Sequence, residues 1–119
     1  MRDAAAAEPS GNLPRTVHEL STPALVVDVD RLDANIAKLA DHLRGAKKNL
    51  RPHAKTHKSV NIGRLQVETG AVGLTVGTLG EAEVFVAGGI DTLFVAYPIR
   101  ADGPKAARLR ALHDAAPGV

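Results

Sequence analysis

The sequence contains no cysteine and no tryptophan, and aromatic residues make up only 3% of its 119 residues. The absence of cysteine excludes disulfide frameworks, thiolate metal sites and cysteine nucleophiles. Because aromatic side chains are so scarce, the hydrophobic core is expected to consist of aliphatic residues. No apolar run approaches the roughly 18 residues that a membrane-spanning helix needs. These absences predict a cytoplasmic protein with no membrane partner.

The composition that remains is that of a globular protein, with 45% hydrophobic and 24% charged residues. The length allows one small domain at most. Residues 1–19 contain Pro9, Gly11 and Pro14 and begin without any hydrophobic period, so they are predicted to form a disordered leader. Residues 20–119 are predicted to form the domain.

The first predicted elements of this domain are a strand and a helix. The apolar run at Ala24–Val29 predicts the strand, and Asp30 is expected to cap the helix that follows. The helix is predicted to end at Gly45. Its apolar stripe, at helical spacing, consists of Leu32, Ile36, Leu39, Ala40 and Leu43.

The rest of the chain repeats a strand–helix unit, with strands predicted to begin near Leu50, Ala71 and Thr92. The residues predicted to cap the intervening helices are Ser59, Thr78 and Asp102, and Thr78 and Glu81 form a capping box. This alternation predicts an α/β fold with a parallel sheet. Half of an open sheet and about three-eighths of a (β/α)8 barrel both fit the pattern. Since no element closes the last sheet edge, the chain is expected to be a truncated piece of a longer protein.

Positive charge is concentrated in one segment, although the formal net charge is only +2. Between positions 44 and 58 no Asp or Glu interrupts the cationic residues, which are Arg44, Lys47, Lys48, Arg51, Lys55 and Lys58, together with His53 and His57. An anionic partner is therefore expected. Nucleic acid and a phosphate-bearing small molecule both qualify.

Within this segment, basic and small apolar residues alternate as in a strand. Arg51, His53 and Lys55 are predicted to share one face, with His57 at the next position of the pattern, while Leu50, Pro52 and Ala54 form the other. A buried cationic face requires a carboxylate or a bound anion opposite it. His53 and His57 are four residues apart, but Pro52 argues against a helix there, so no metal site is predicted.

Lys55 is the candidate catalytic residue. It lies at the predicted carboxyl end of its strand, which is the end where ligands bind in barrels and in open α/β sheets. A neutral lysine amine attacks an aldehyde to form a Schiff base. The residue type, its neighbours and its position therefore suit a lysine that holds a carbonyl cofactor.

Three segments carry a resemblance to a known family, namely TPALVVD at 22–28, RPHAKTHK at 51–58 and TLGEAE at 78–83. Together they resemble the amino-terminal part of the D-threonine aldolase and D-serine dehydratase group. These are pyridoxal-phosphate enzymes with the alanine racemase type of barrel. The resemblance runs from about Leu20 to Arg100. It implies a partial (β/α)8 barrel of about three βα units, with the strand at Ala24–Val29 belonging to a second β-domain.

The resemblance also implies a function and a site. Lys55 matches the lysine that binds pyridoxal phosphate, and His53 and Arg51 are further candidate cofactor-binding residues. The implied activity is that of a lyase that cleaves or dehydrates D-hydroxy amino acids, with a divalent metal whose ligands would lie beyond Val119. The chain alone is then expected to be inactive, and the full-length enzyme is expected to form a homodimer.

Two other functions remain open at this stage. A racemase or a non-catalytic pyridoxal-phosphate-binding protein of the same fold would share Lys55. A small basic nucleic-acid-binding protein would instead use the segment from Arg44 to Lys58. The scarcity of aromatic residues for base stacking argues against the last, so the predicted partner is a D-amino acid and not nucleic acid.

Overall fold

The structure, a computed structural model, describes residues 16–119 of the chain. A single 3-10 turn at Val17–Glu19 precedes the main elements. These are, in chain order, α1 (Val29–Gly45), α2 (Val60–Glu68), β1 (Leu74–Val76), α3 (Leu79–Ala87), β2 (Leu93–Val95) and α4 (Gly103–Ala115). The predicted alternation of strands and helices, and hence the α/β class, is confirmed.

The sheet is parallel, as predicted, and its strands are short. β1 and β2 pair in parallel with Leu74 opposite Leu93. On the other side of β1 the segment at residues 50–54 runs alongside, with a single parallel bridge between His53 and Thr75. Further backbone bonds extend this pairing, because the amides of Val72, Thr75 and Ala54 donate to Leu50, Pro52 and Thr75 at 2.8 Å each. The strand predicted near Leu50 is thus a parallel segment reduced to one bridge.

One face of the sheet is covered by helices and forms the core. Ala54, Leu74 and Val76 are completely buried there, and α3 contributes Ala82 and Phe85. Leu112 of α4 belongs to the same buried cluster. The alternation of strand residues accounts for the arrangement, since every second side chain points to the helices.

The predicted caps of α2 and α3 are confirmed, and that of α4 is confirmed in position only. Ser59 accepts a hydrogen bond from the amide of Ile62 and Thr78 accepts one from the amide of Glu81, so both side chains cap their helices. Asp102 occupies the cap position of α4 without a side-chain bond, and Pro104 lies in the first turn. The side chains of Ser and Thr satisfy amides that have no partner within the helix.

The segment before α1 differs from the prediction. The helix begins at Val29, capped by Asp28 through the amide of Arg31, so the prediction of Asp30 as cap is wrong. The predicted strand at Ala24–Val29 is not formed, because no neighbouring strand among residues 16–119 pairs with its backbone. Leu25 is fully exposed in this segment. Its assignment to a second β-domain stays a prediction.

The predicted leader falls mostly on residues 1–15, which lie outside the described part of the chain. None of the helices within residues 16–119 is long and apolar enough to cross a membrane.

Candidate active site

The alternation predicted for the basic segment places its side chains on the sheet face opposite the helices. Ala54 is fully buried in the core, while Arg51 and His53 are half-buried and Lys55 is exposed. The register puts His53 beside Thr75 and Thr75 beside Phe94, so these residues share one face of the sheet. This face carries the three predicted site residues.

Lys55 lies at the carboxyl end of the three parallel segments, close to Tyr97, which follows β2. The Lys55 Nζ donates a hydrogen bond to Tyr97 Oη at 3.1 Å. It also lies 5.7 Å from the centroid of the Tyr97 ring, within the range of a cation–π contact. No carboxylate among residues 16–119 forms an ion pair with this amine. The partner of the candidate lysine is therefore a neutral phenol.

His53 lies two residues before Lys55 and contacts its backbone. The Lys55 amide donates to His53 Nδ1 at 3.3 Å. A neutral His53 that accepts at Nδ1 carries its proton on Nε2, an assignment that follows from this hydrogen bond. The Nε2 atom is buried and has no hydrogen-bond partner among the described residues. The site thus holds a donor that a ligand could satisfy.

Arg51 lies at the opposite end of the parallel segments from Lys55. Its Nη1 donates to the carbonyl oxygen of Thr92, just before β2, at 3.1 Å. The guanidinium passes over Gly73, where a Cβ would lie 2.4 Å from Arg51 Nη1 and 2.2 Å from the Thr92 oxygen. Gly73 has a φ of +146°, which also favours glycine. Arg51 here connects the two segments that flank β1, and its role in cofactor binding stays a prediction.

His57 does not continue the basic face. The chain turns at residues 54–57, where the Lys58 amide donates to the Ala54 carbonyl, and His57 lies on the helix side. There its ring packs edge-on against Phe85, with the centroids 6.4 Å apart. Burial lowers the pKa of His57 below its usual value. The alternation therefore ends at Lys55.

Lys58 has a different partner from Lys55. Its Nζ forms an ion pair with Glu81 Oε1 at 2.9 Å, while Glu81 Oε2 accepts the Gly77 amide at 2.7 Å. The Gly77 amide and then the Lys58 ammonium hold the pKa of Glu81 below its usual value. Glu81 was expected to form a capping box with Thr78, but its carboxylate accepts from the Gly77 amide instead of the Thr78 amide. It thereby connects Lys58 to the loop between β1 and α3.

This arrangement predicts that Glu81→Gln lowers the stability of the chain at neutral pH. The folded chain favours the ionised carboxylate, so its stabilising effect is complete above the usual Glu pKa and is lost as the pH falls through the lower pKa of the folded state. We expect a loss of about 1 kcal/mol at pH 7, since charge-assisted hydrogen bonds are stronger than neutral ones. Urea unfolding at several pH values measures it.

Glu68→Gln is the matched control, because Glu68 is exposed at the end of α2 and forms no ion pair within residues 16–119. Substitutions at exposed positions without such partners change stability little, so this variant should unfold almost as the unchanged chain does. The difference between the unchanged chain and Glu81→Gln should narrow below about pH 4. A difference that stays constant down to pH 2 contradicts the role assigned to the Glu81 charge.

A protein-family profile, described as "Alanine racemase, N-terminal domain", matches residues 27–118. The chain belongs to this family. The match includes the basic segment, β1, β2 and the Tyr97 loop, and it agrees with the resemblance found in the sequence.

Relatives within the alanine racemase N-terminal domain family include several lyases. A D-threo-3-hydroxyaspartate dehydratase from Delftia sp. (strain HT23) is 42% identical over 80% of this chain and 25% of its own length. A 3-hydroxy-D-aspartate aldolase from Paracoccus denitrificans is 39% identical over 69% of this chain and 21% of its own length. The crystal structure of a D-threonine aldolase from Filomicrobium marinum superposes with a TM-score of 0.72 at 35% identity, covering 83% of this chain and 26% of that one.

The chain thus spans about a quarter of the length of the relatives that it matches. Within residues 16–119, no three His, Asp or Glu side chains come together as a metal site would require. The candidate site in this chain therefore consists of the lysine, its phenol partner and the neighbouring histidine.

Proposed function

We propose that this chain supplies the lysine-bearing part of a pyridoxal-phosphate-dependent lyase that acts on β-hydroxy amino acids of D configuration. The observation that carries the proposal is the Lys55 amine at the carboxyl end of parallel strands, which is paired with the Tyr97 hydroxyl and, within residues 16–119, with no carboxylate. Family membership supports it. So do the relatives, whose names describe dehydratases and aldolases of such substrates.

The residues present fit pyridoxal phosphate. Lys55 provides the amine that condenses with an aldehyde, and this amine is not engaged in an ion pair within the described residues. The buried Nε2 of His53 has no acceptor in the part of the chain that the structure describes, and an oxygen of the phosphorylated cofactor could supply one. We therefore assign covalent attachment to Lys55 and a hydrogen bond to His53.

The bound cofactor would supply an electron sink for negative charge at the substrate Cα. The residues of this chain would hold the cofactor and orient the lysine that binds it. Lys55 would hold the cofactor through its aldehyde carbon and would be a free amine again once a substrate amine had taken its place. In a dehydration, the freed Lys55 amine would also accept the Cα proton. His53 orients the backbone at Lys55 through the hydrogen bond between the Lys55 amide and Nδ1.

The family resemblance also implies a divalent metal near the β-hydroxyl of the substrate. Since residues 16–119 bring no three metal-ligating side chains together, the metal would be held by residues outside this part of the chain. Arg51, bonded to Thr92, would contribute to the site by fixing the order of the strands.

Reductive labelling tests the proposal. The chain is incubated with pyridoxal phosphate, reduced with borohydride, digested and examined by mass spectrometry. We expect the phosphopyridoxyl label on Lys55 to exceed that on Lys48, Lys58 and the exposed Lys105 by about tenfold or more, because a bound cofactor reacts at high effective concentration.

A second measurement compares pyridoxal phosphate with pyridoxal, which has the same aldehyde but no phosphate. Selective labelling of Lys55 should persist with the phosphorylated aldehyde and weaken with the other, since a specific site recognises more than the carbonyl. Equal labelling of all exposed lysines, or a preference for Lys58, would overturn the assignment of Lys55.

A further inference from the structure

Among the described residues, Tyr97 contacts the Lys55 amine with its side chain. Neither its residue type nor its sequence position predicts this contact. It lies 42 positions beyond Lys55 in the chain. The sheet brings them together, because the Ala96 amide donates to the Val76 carbonyl at 2.9 Å and so continues the pairing of β2 to the residue before Tyr97.

The Tyr97 ring is seated against the loop after β1. A Cβ on Gly77 would lie 3.4 Å from Tyr97 Cε2 and 3.7 Å from Cδ2, so the ring packs directly over this glycine. The Gly77 amide is bonded in turn to Glu81 Oε2 at 2.7 Å. The Tyr97 ring therefore packs against a backbone segment that is itself held in place by the Glu81 side chain of α3.

The hydroxyl group suits an amine that has to change its protonation state. A phenol accepts a hydrogen bond from an ammonium group, and it donates one to a neutral amine. A carboxylate in the same place would pair with the ammonium only. The phenol can thus keep the amine in one position before and after it loses its proton.

We propose that Tyr97 is a positioning residue that orients the Lys55 amine for attack on the aldehyde of its ligand. This proposal rests on the proposed function. In the condensation, the nitrogen lone pair forms the bond to the aldehyde carbon. The carbonyl oxygen leaves as water with the two amine protons, and a carbon–nitrogen double bond remains. Tyr97 holds the nitrogen through its hydroxyl and restricts it through its ring.

The test compares Tyr97→Phe, which keeps the ring, with Tyr97→Leu, which removes ring and hydroxyl. The initial rate of reductive labelling by pyridoxal phosphate is measured at Lys55 and, in the same sample, at the exposed Lys105 of α4. We expect Tyr97→Phe to lower the Lys55 rate about threefold to tenfold, as the loss of one hydrogen bond predicts. Tyr97→Leu should lower it further, and Lys105 should not change.

A second readout reports the position of the amine directly. The lysines are dimethylated with 13C-formaldehyde, and the methyl resonances of Lys55 are assigned with Lys55→Arg. In the unchanged chain the Tyr97 ring should displace the Lys55 methyl resonances from those of the other lysines. Tyr97→Phe should keep this displacement and Tyr97→Leu should abolish it, which a general loss of stability does not reproduce.

The outcomes separate the two proposals. If Lys55 in the unchanged chain is labelled no faster than Lys105, the proposed function fails and the role of Tyr97 fails with it. If Lys55 is labelled selectively and both Tyr97 variants react at the unchanged rate, the proposed function stands and the positioning role is refuted.

Discussion

Lys55→Arg is expected to abolish covalent retention of pyridoxal phosphate. Arginine keeps the positive charge and nearly the same reach, so the charge of the basic face is unchanged. Its guanidinium stays protonated in proteins and cannot attack an aldehyde. Reductive labelling at this position should therefore disappear, and in a protein that joins this chain to the remaining parts of such an enzyme, turnover should fall by at least about a thousandfold.

Lys48→Arg is the matched control for this prediction. Lys48 lies in the same basic segment and is exposed, and the substitution again exchanges one cation for another. Labelling of Lys55 should be unchanged in that variant. Turnover in Lys55→Arg, together with reductive labelling that has moved to a different lysine, would remove Lys55 from the site.

The local pattern of the sequence predicted most of the fold. Ser59 and Thr78 cap their helices as expected, because an N-cap hydrogen bond spans only three residues and needs nothing from the rest of the chain. The segment at Ala24–Val29 failed for the opposite reason. Its apolar composition favours a strand, but a strand requires a neighbour, and residues 16–119 provide none.

The arrangement of the candidate site was predicted in part. Features set by local sequence spacing were predicted, and contacts set by the sheet register were not. Alternation along one segment placed His53 and Lys55 on a face opposite Ala54, as observed. The contacts of Lys55 and Lys58 were not predicted, because Tyr97 and Glu81 reach them through the sheet register and not through sequence spacing. One indication of these contacts was present in the sequence. Glu81 follows β1 and Tyr97 follows β2, so both residues come after the carboxyl ends of neighbouring parallel strands.

Phe85→Ala is expected to cause the largest loss of stability among single substitutions in this chain. Phe85 is 1% exposed and is the largest fully buried side chain among the described residues. Truncation of a buried phenylalanine costs about 3–5 kcal/mol through lost apolar burial and the cavity that remains. Small domains are stabilised by about 5–15 kcal/mol, so this loss would remove a large share of the free energy of unfolding. Urea unfolding followed by circular dichroism measures the change.

The control for this prediction is Val84→Ala, one position earlier on α3. Val84 is 55% exposed, so its truncation removes little buried surface and should change the unfolding free energy by less than about 0.5 kcal/mol.

Phe85→Leu adds a variant expected to stay folded. Burial lowers the pKa of His57, and its ring packs against Phe85. A smaller side chain at position 85 should expose the imidazole and let that pKa rise toward its usual value. NMR titration of His57 measures this shift. Equal destabilisation by Val84→Ala and Phe85→Ala would show that the core does not depend on Phe85. An unchanged pKa of His57 in Phe85→Leu would show that the Phe85 ring does not contribute to the burial of His57.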